Sequence, residues 1–247
     1  MGIGIVAYIN SSWKRFTAVG CSHGHLADPL AIKTVLSFND RWKPHTRIHL
    51  GDYVDTAAYR SGAKGTKDEK VSLETDFDAG LSFIRSFDPT HLTNGNHCIR
   101  VWKAAKGDNA IVREFSQYLI NKIEKAVPKK CTFIRTYDTN SFIELGGTKF
   151  LHGIWYSEDA VRQHAEHYGK CVIAHLHKVM SVPGRRQDGA KCYCVGFLGE
   201  KEKFGYAKLQ RSYSQWQQGF GYGEYNDKEC VVWLAERNID GSWKLPL

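Results

Sequence analysis

The chain has 247 residues, 42% of them hydrophobic, which suffices to bury a sizeable core and matches the usual size of one α/β domain. No stretch approaches the roughly 18 apolar residues of a membrane helix, and seven cysteines scattered from Cys21 to Cys230 do not make the paired framework of a secreted disulfide scaffold. A formal net charge of +8 favours a polyanionic partner.

The opening MGIGIVAYIN has no charged leader region, and Val6 stands where N-myristoylation needs Ser or Thr. The expectation is therefore a cytoplasmic protein without a membrane partner, folded as a single domain over residues 1–247. In chain order, RFTAVGCS reads as a strand running into a turn, and DPLAIKTVLSF as a helix. RIHLGD is a second strand, RSGAKGTKDEK (residues 60–70) a mobile surface loop, and KVSLETDFDAGLSFIRSF a second helix. THLTNGN is a third strand, and the helix NAIVREFSQYLINKIEKAV stops before Pro128. This βαβαβ order predicts parallel strands joined by helical crossovers.

The second half changes character. SFIELGGTKFLHG predicts a hairpin turning at Gly146-Gly147, EDAVRQHAEHYG a short helix and KCVIAH a strand. From Val179 to Leu247 the signals are short strands and glycine-rich turns. Cys192-x-Cys194 can ligate zinc with Cys230, but with no further close Cys/His pair the pattern reads as strand cysteines buried on one face.

The chemistry-bearing residues cluster at the predicted strand ends, where α/β sheets collect their ligands. These are Cys21-Ser22-His23, Gly51-Asp52-Tyr53-Val54-Asp55, Asn94-Gly95-Asn96-His97, His152-Gly153 and His175-Leu176-His177. Five turns thus offer nitrogen, oxygen and sulfur donors, a set that chance seldom arranges and that suits transition metals. GCSHG also satisfies the G-x-S-x-G elbow of serine hydrolases. That reading lacks an oxyanion loop ahead of Ser22 and leaves the GNH and HLH triplets without a role.

The ordered set resembles the calcineurin-like metallophosphoesterases, whose motifs run D-x-H, G-D-x-x-D, G-N-H-[DE], H-G and G-H-x-H. Here they stand as CSH, GDYVD, GNHC, HG and AHLH across residues 21–177, and WQQGF at 216–220 is similar to small phage and bacterial members. The resemblance implies an α/β fold of two mixed β-sheets packed as a sandwich flanked by helices, with two metal ions, manganese, zinc or iron, at the strand ends. It implies Cys21, His23, Asp52 and His177 around the first ion, and Asp52, Asn96, His152 and His175 around the second. Asp52 would bridge, since two cations about 3.5–4 Å apart need a shared anion. His97 would serve the leaving group, oriented by Asp55. Arg100 and His25 are candidate substrate contacts, each balanced by a solvent-facing alternative.

Three positions depart from the family pattern. Cys21 replaces an Asp, which keeps the charge only as thiolate and shifts preference toward zinc or iron; as a thiol it leaves a one-metal centre. Cys98 replaces an acid and Ala174 a Gly, while Thr56-Ala57 replaces the Arg-Gly of Ser/Thr protein phosphatases. The expected substrate is a phosphodiester in nucleic acid or nucleotides, with a phosphomonoester or a catalytically impaired binding and assembly role as alternatives. No protein partner is expected. The nucleic-acid preference rests on Lys64, Lys67, Lys70, Arg185, Arg186, Lys201, Lys203, Lys208 and Arg211 in predicted loops, interspersed with Trp155, Tyr193, Phe204, Tyr206 and Trp216 as stacking candidates.

Overall fold

A computed structural model describes residues 12–208 and 211–246; Val6 and the Tyr206 side chain lie outside this description. Four parallel strands form one side of the first sheet: β1 (Lys14–Val19), β2 (Thr46–His49), β3 (His91–Thr93) and, at the edge, β4 (Thr132–Ile134). The antiparallel pair β10 (Gly219–Tyr225) and β11 (Cys230–Glu236) extends it beyond β1, giving the order β11-β10-β1-β2-β3-β4. The crossovers are α1 (Pro29–Trp42), α2 (Leu73–Phe87) and the pair α3 (Ile99–Ala104) and α4 (Ala110–Ala126). Their starts follow local chemistry: Asp28, Ser72 and Asn109 cap α1, α2 and α4 by accepting from amides of the first turn.

The second sheet has the order β5-β6-β7-β9-β8, from β5 (Phe142–Leu145), β6 (Thr148–Leu151), β7 (Cys171–Ile173), β8 (Val179–Pro183) and β9 (Lys191–Val195). Strand pairs β5·β6 and β8·β9 are antiparallel and β6·β7·β9 parallel, so both sheets are mixed. The hairpin turns at Gly146-Gly147 as expected. Helix α5 (Ala160–Tyr168) covers the outer face of this sheet.

Side-chain alternation then builds the sandwich. Phe16, Ala18 and Ile48 face inward and meet Phe150, Val172 and Val195 of the second sheet, with Phe16 and Phe150 edge-to-face at 5.1 Å. The neighbouring Val19 and His49 face outward toward α1 and α2. Strand β10, GFGYGEY, puts Phe220 and Tyr222 on that outer face and glycines on the inner one, where a Cβ at Gly221 would come within 2.9 Å of Val195. Cys171, Cys192 and Cys194 lie together under α5, whereas Cys230 belongs to the core between the sheets, so the strand reading of these cysteines fits their placement. Residues 60–70, read as a mobile surface loop, are mostly exposed; within them Lys67–Lys70 forms a 3-10 turn capped by Thr66, and Arg60 pairs with Asp68 at 2.6 Å.

Candidate metal centre

The two sheets present their strand-end turns to each other. Backbone bonds from Cys21 to Gly51, His23 to Asp52 and Gly24 to Tyr53 continue the β1·β2 ladder past the strands, so CSH and GDYVD run side by side. On the opposing sheet Ala174 donates to His152, and Gln217 to the carbonyl of His177. Cys21, His23, Asp52, His175 and His177 all hold left-handed backbone, with φ of 53°, 52°, 53°, 59° and 57°. Such non-glycine conformations cost about 1–3 kcal/mol each and persist where surrounding structure enforces them. Among the described residues the other non-glycine examples are Lys43 and Asp88, which end α1 and α2, and Thr56 beside Asp55.

All seven proposed ligand positions converge. His152 Nδ1 donates to the Leu50 carbonyl at 2.7 Å, which leaves Nε2 facing Asp52 Oδ2 at 3.1 Å and Asn96 Oδ1 at 3.0 Å. Three lone-pair donors facing one another at that spacing form a cradle for a cation. His23 repeats the logic: Nδ1 donates to Asp55 Oδ1 at 2.9 Å, and Nε2 faces His177 Nε2 at 3.2 Å. In both rings the nitrogen remote from the cradle is anchored on an oxygen, the arrangement typical of metal-ligating histidines. Cys21 Sγ belongs to both groups, lying within 4.8 Å of the donors of His23 and His177 and also of Asp52 and His152. His175 Nε2 and His177 Nδ1 are buried without a protein partner, which further suits a ligand that the protein itself does not supply.

Electrostatics agree with this division. Burial lowers His23, His175 and His177, with His175 brought down to about 3, so these rings are neutral and keep a lone pair. Burial alone would raise Asp52, but His152, His97 and His23 around it hold the carboxyl well below its ordinary range. Burial and the neighbouring Asp52 raise the Cys21 thiol well above its ordinary value. Thiolate at this position therefore requires a cation beside it.

His97 stands apart from the cradle. Its Nδ1 lies 2.9 Å from the Asp55 carbonyl and 3.0 Å from Asp55 Oδ1, and its amide donates to Asp52 Oδ1. Burial pulls its pKa down, yet Asp52 and Asp55 outweigh this and raise it. Asp55 is thus shared between His23 and His97 rather than serving His97 alone. Arg100 donates to the Asp55 carbonyl at 3.1 Å, behind His97. His25, about one quarter exposed, pairs with Asp76 at 3.1 Å on the rim.

The family model for calcineurin-like phosphoesterases matches residues 14–213. The chain belongs to this family. A comparison with curated proteins finds no match. Among solved structures, the chain is similar to an archaeal phosphodiesterase at 14% identity, with 89% of this chain and 99% of that one covered and a TM-score of 0.42. It is similar to a Vps29 variant from Entamoeba histolytica at 13% identity, with 93% and 96% covered and a TM-score of 0.48. Yfce, a phosphoesterase from E. coli, matches at 12% identity over 88% and 96% of the two chains, with a TM-score of 0.39.

Ser22 is buried beside His49, its Oγ 3.3 Å from Nε2. The Gly51 amide donates to His49 Nδ1 at 3.2 Å, so the ring proton sits on Nε2 and is donated to Ser22. A histidine in that tautomer cannot take the serine proton, and burial lowers its pKa to about 3. Several stacking candidates have other duties. Phe204 is fully buried edge-on against His23 and His177, Tyr193 packs from β9 toward the inter-sheet core, and Trp155 rests on His164. Trp216, half-buried, meets the His177 ring edge-to-face at 4.2 Å. Two buried residues escaped the sequence reading: Asp76, which accepts from the amides of Asp55 and Thr56, and His164, which accepts from the Ile154 amide beside the HG turn. Neither lies in a motif; Asp76, inside a helical stretch, reads only as a surface acid.

Proposed function

We propose that the chain is a metal-dependent phosphodiesterase acting on nucleic acid or nucleotides. The observation that carries this reading is the convergence of Cys21, His23, Asp52, Asn96, His152, His175 and His177 on one site, with His97 held beside them by Asp55. Bound cations supply Lewis-acid polarisation of the phosphoryl group and a nucleophile drawn from water at neutral pH. The protein's own part begins with Asp52, whose depressed pKa keeps it an anion shared by both sets of ligands. His23, His152, His175, His177 and Asn96 would hold the cations, with the rings of His23 and His152 locked by hydrogen bonds from their remote nitrogens. His97 acts as the general acid. Its Nδ1 is committed to Asp55, so the proton given to the leaving oxygen is the one on Nε2, and the carboxylates nearby keep the ring charged until then.

Cationic segments border the centre on two sides and support a polyanionic substrate. Residues 57–70, with Lys64, Lys67 and Lys70, leave directly from the Asp55–Thr56 turn. Lys201 and Lys203 precede Phe204, which touches His23 and His177. Arg186, Lys203 and Arg211 are paired with Asp188, Glu200 and Glu158, which weakens their share of the field. A one-cation centre at Asp52, Asn96, His152 and His175 is the alternative for a Cys21 that stays a thiol, the form that burial and Asp52 promote without a cation. Metal analysis together with turnover of bis(p-nitrophenyl) phosphate, its monoester, and single-stranded and duplex DNA tests the proposal. Monoester turnover exceeding that of every diester would overturn the diesterase assignment, and a protein that takes up no transition metal would overturn the enzyme reading.

A further inference from the structure

Asp76, on the first turns of α2, is a fully buried carboxylate without an arginine or lysine partner among the described residues. Both oxygens are nevertheless engaged. Oδ1 and Oδ2 lie 3.1 and 3.0 Å from the Asp55 amide, Oδ2 accepts from the Thr56 amide at 2.8 Å, and Oδ1 meets His25 at 3.1 Å. Burying an ionised carboxylate is costly unless it receives such charge-assisted bonds, so this arrangement holds only when the turn after Val54 is folded around it. Gly24 leaves the room: a Cβ there would lie 2.0 Å from Asp76 Oδ1. Thr56 closes the structure from the other side, its backbone left-handed at φ 52° and its hydroxyl donating to the His97 carbonyl at 2.8 Å.

We propose that Asp76 is a positioning residue that sets the Asp55 carboxylate between His23 and His97. The inference rests on the role given to His97 above. The path is short: the Asp76 carboxylate fixes the amides of Asp55 and Thr56, that turn fixes the Asp55 side chain, and Asp55 holds Nδ1 of both imidazoles. It also explains why a strained threonine is kept in the turn, since Asp76 and the His97 carbonyl hold Thr56 from both ends. His25, about one quarter exposed, then couples the same carboxylate to the rim of the site.

Asp76→Asn tests this without altering shape, because it turns one acceptor into an NH2 group facing two amide donors. In the folded variant the downfield imidazole N–H resonances of His23 and His97 and the amide resonances of Asp55 and Thr56 should all shift. With manganese added, kcat on bis(p-nitrophenyl) phosphate should fall about a hundredfold, the scale of a small misplacement of a catalytic group, with KM little changed. A folded variant whose two imidazole signals stay in place overturns the proposal. Should the variant not fold, NMR couplings across the hydrogen bonds from the Asp55 and Thr56 amides to the Asp76 carboxyl carbon decide it in the unaltered protein, and their absence overturns it. Imidazole signals that move while turnover persists would support the positioning and remove the acid role from His97.

Discussion

At the scale of single residues, His97 and Cys21 separate binding from chemistry. His97→Ala removes the acid but none of the cradle, so kcat should drop by about two to four orders of magnitude, the usual share of general acid catalysis, with metal content unchanged. Metal lost in that variant, measured by elemental analysis, would make His97 a ligand instead. Cys21→Asp substitutes a harder oxygen donor that is ionised without help from a cation. The variant should stay active and respond more strongly to manganese, and an inactive, metal-free product would remove Cys21 from the ligand set. The ligand positions were legible because each falls in a short motif at a strand end. Asp76 and the tautomer of His49 were not, because what defines them is a hydrogen-bond partner some 20 residues away for Asp76 and the two-residue bond from Gly51 for His49.

At the scale of elements, strand and helix order followed directly from periodicity, and the parallel β1·β2·β3 pairing matches it. The short strand β4 and the six-residue helix α3 were missed: unlike the equally short β3 and β7, β4 runs into no site motif, and α3 is too short to show a period. Helix α1 offers an element-level test. Its cap Asp28 accepts from Leu30 and Ala31 and also binds Gln218 and Arg237, tying the helix start to the chain's last strands. Asp28→Ala should therefore cost about 1–2 kcal/mol, and lower Tm by about 2–4 °C for each kcal/mol. Partial burial would raise the Asp28 pKa, but Gln218, the two amides and Arg237 outweigh it and bring it below the ordinary 3.8. The stabilisation is complete above that value and is lost as pH falls through the lower folded pKa, so wild type and variant should converge in acid unfolding.

At the scale of the whole molecule, the centre draws Cys21, His23, Asp52 and Asn96 from one sheet and His152, His175 and His177 from the other. A resident cation therefore ties the sandwich together. Calorimetry before and after a strong chelator should show a lower Tm that added zinc restores; about 4 kcal/mol corresponds to metal at a thousandfold its Kd. An unchanged Tm would mean that no cation joins the sheets. Sequence motifs located these residues and, through the family resemblance, grouped them; what they did not show is how the glycine face of β10 lets the two sheets approach.

The meeting of His23 with His177, across 154 positions of chain, also orders events in time. Closing so long a loop costs entropy before any contact repays it, and long-range pairings form slowly. A chain still leaving the ribosome displays Cys21 and His23 well before the His175-Leu176-His177 turn has been made. Three of the four residues assigned to the first ion, Cys21, His23 and Asp52, would thus wait for His177, and that ion's site would be complete only when the second sheet docks.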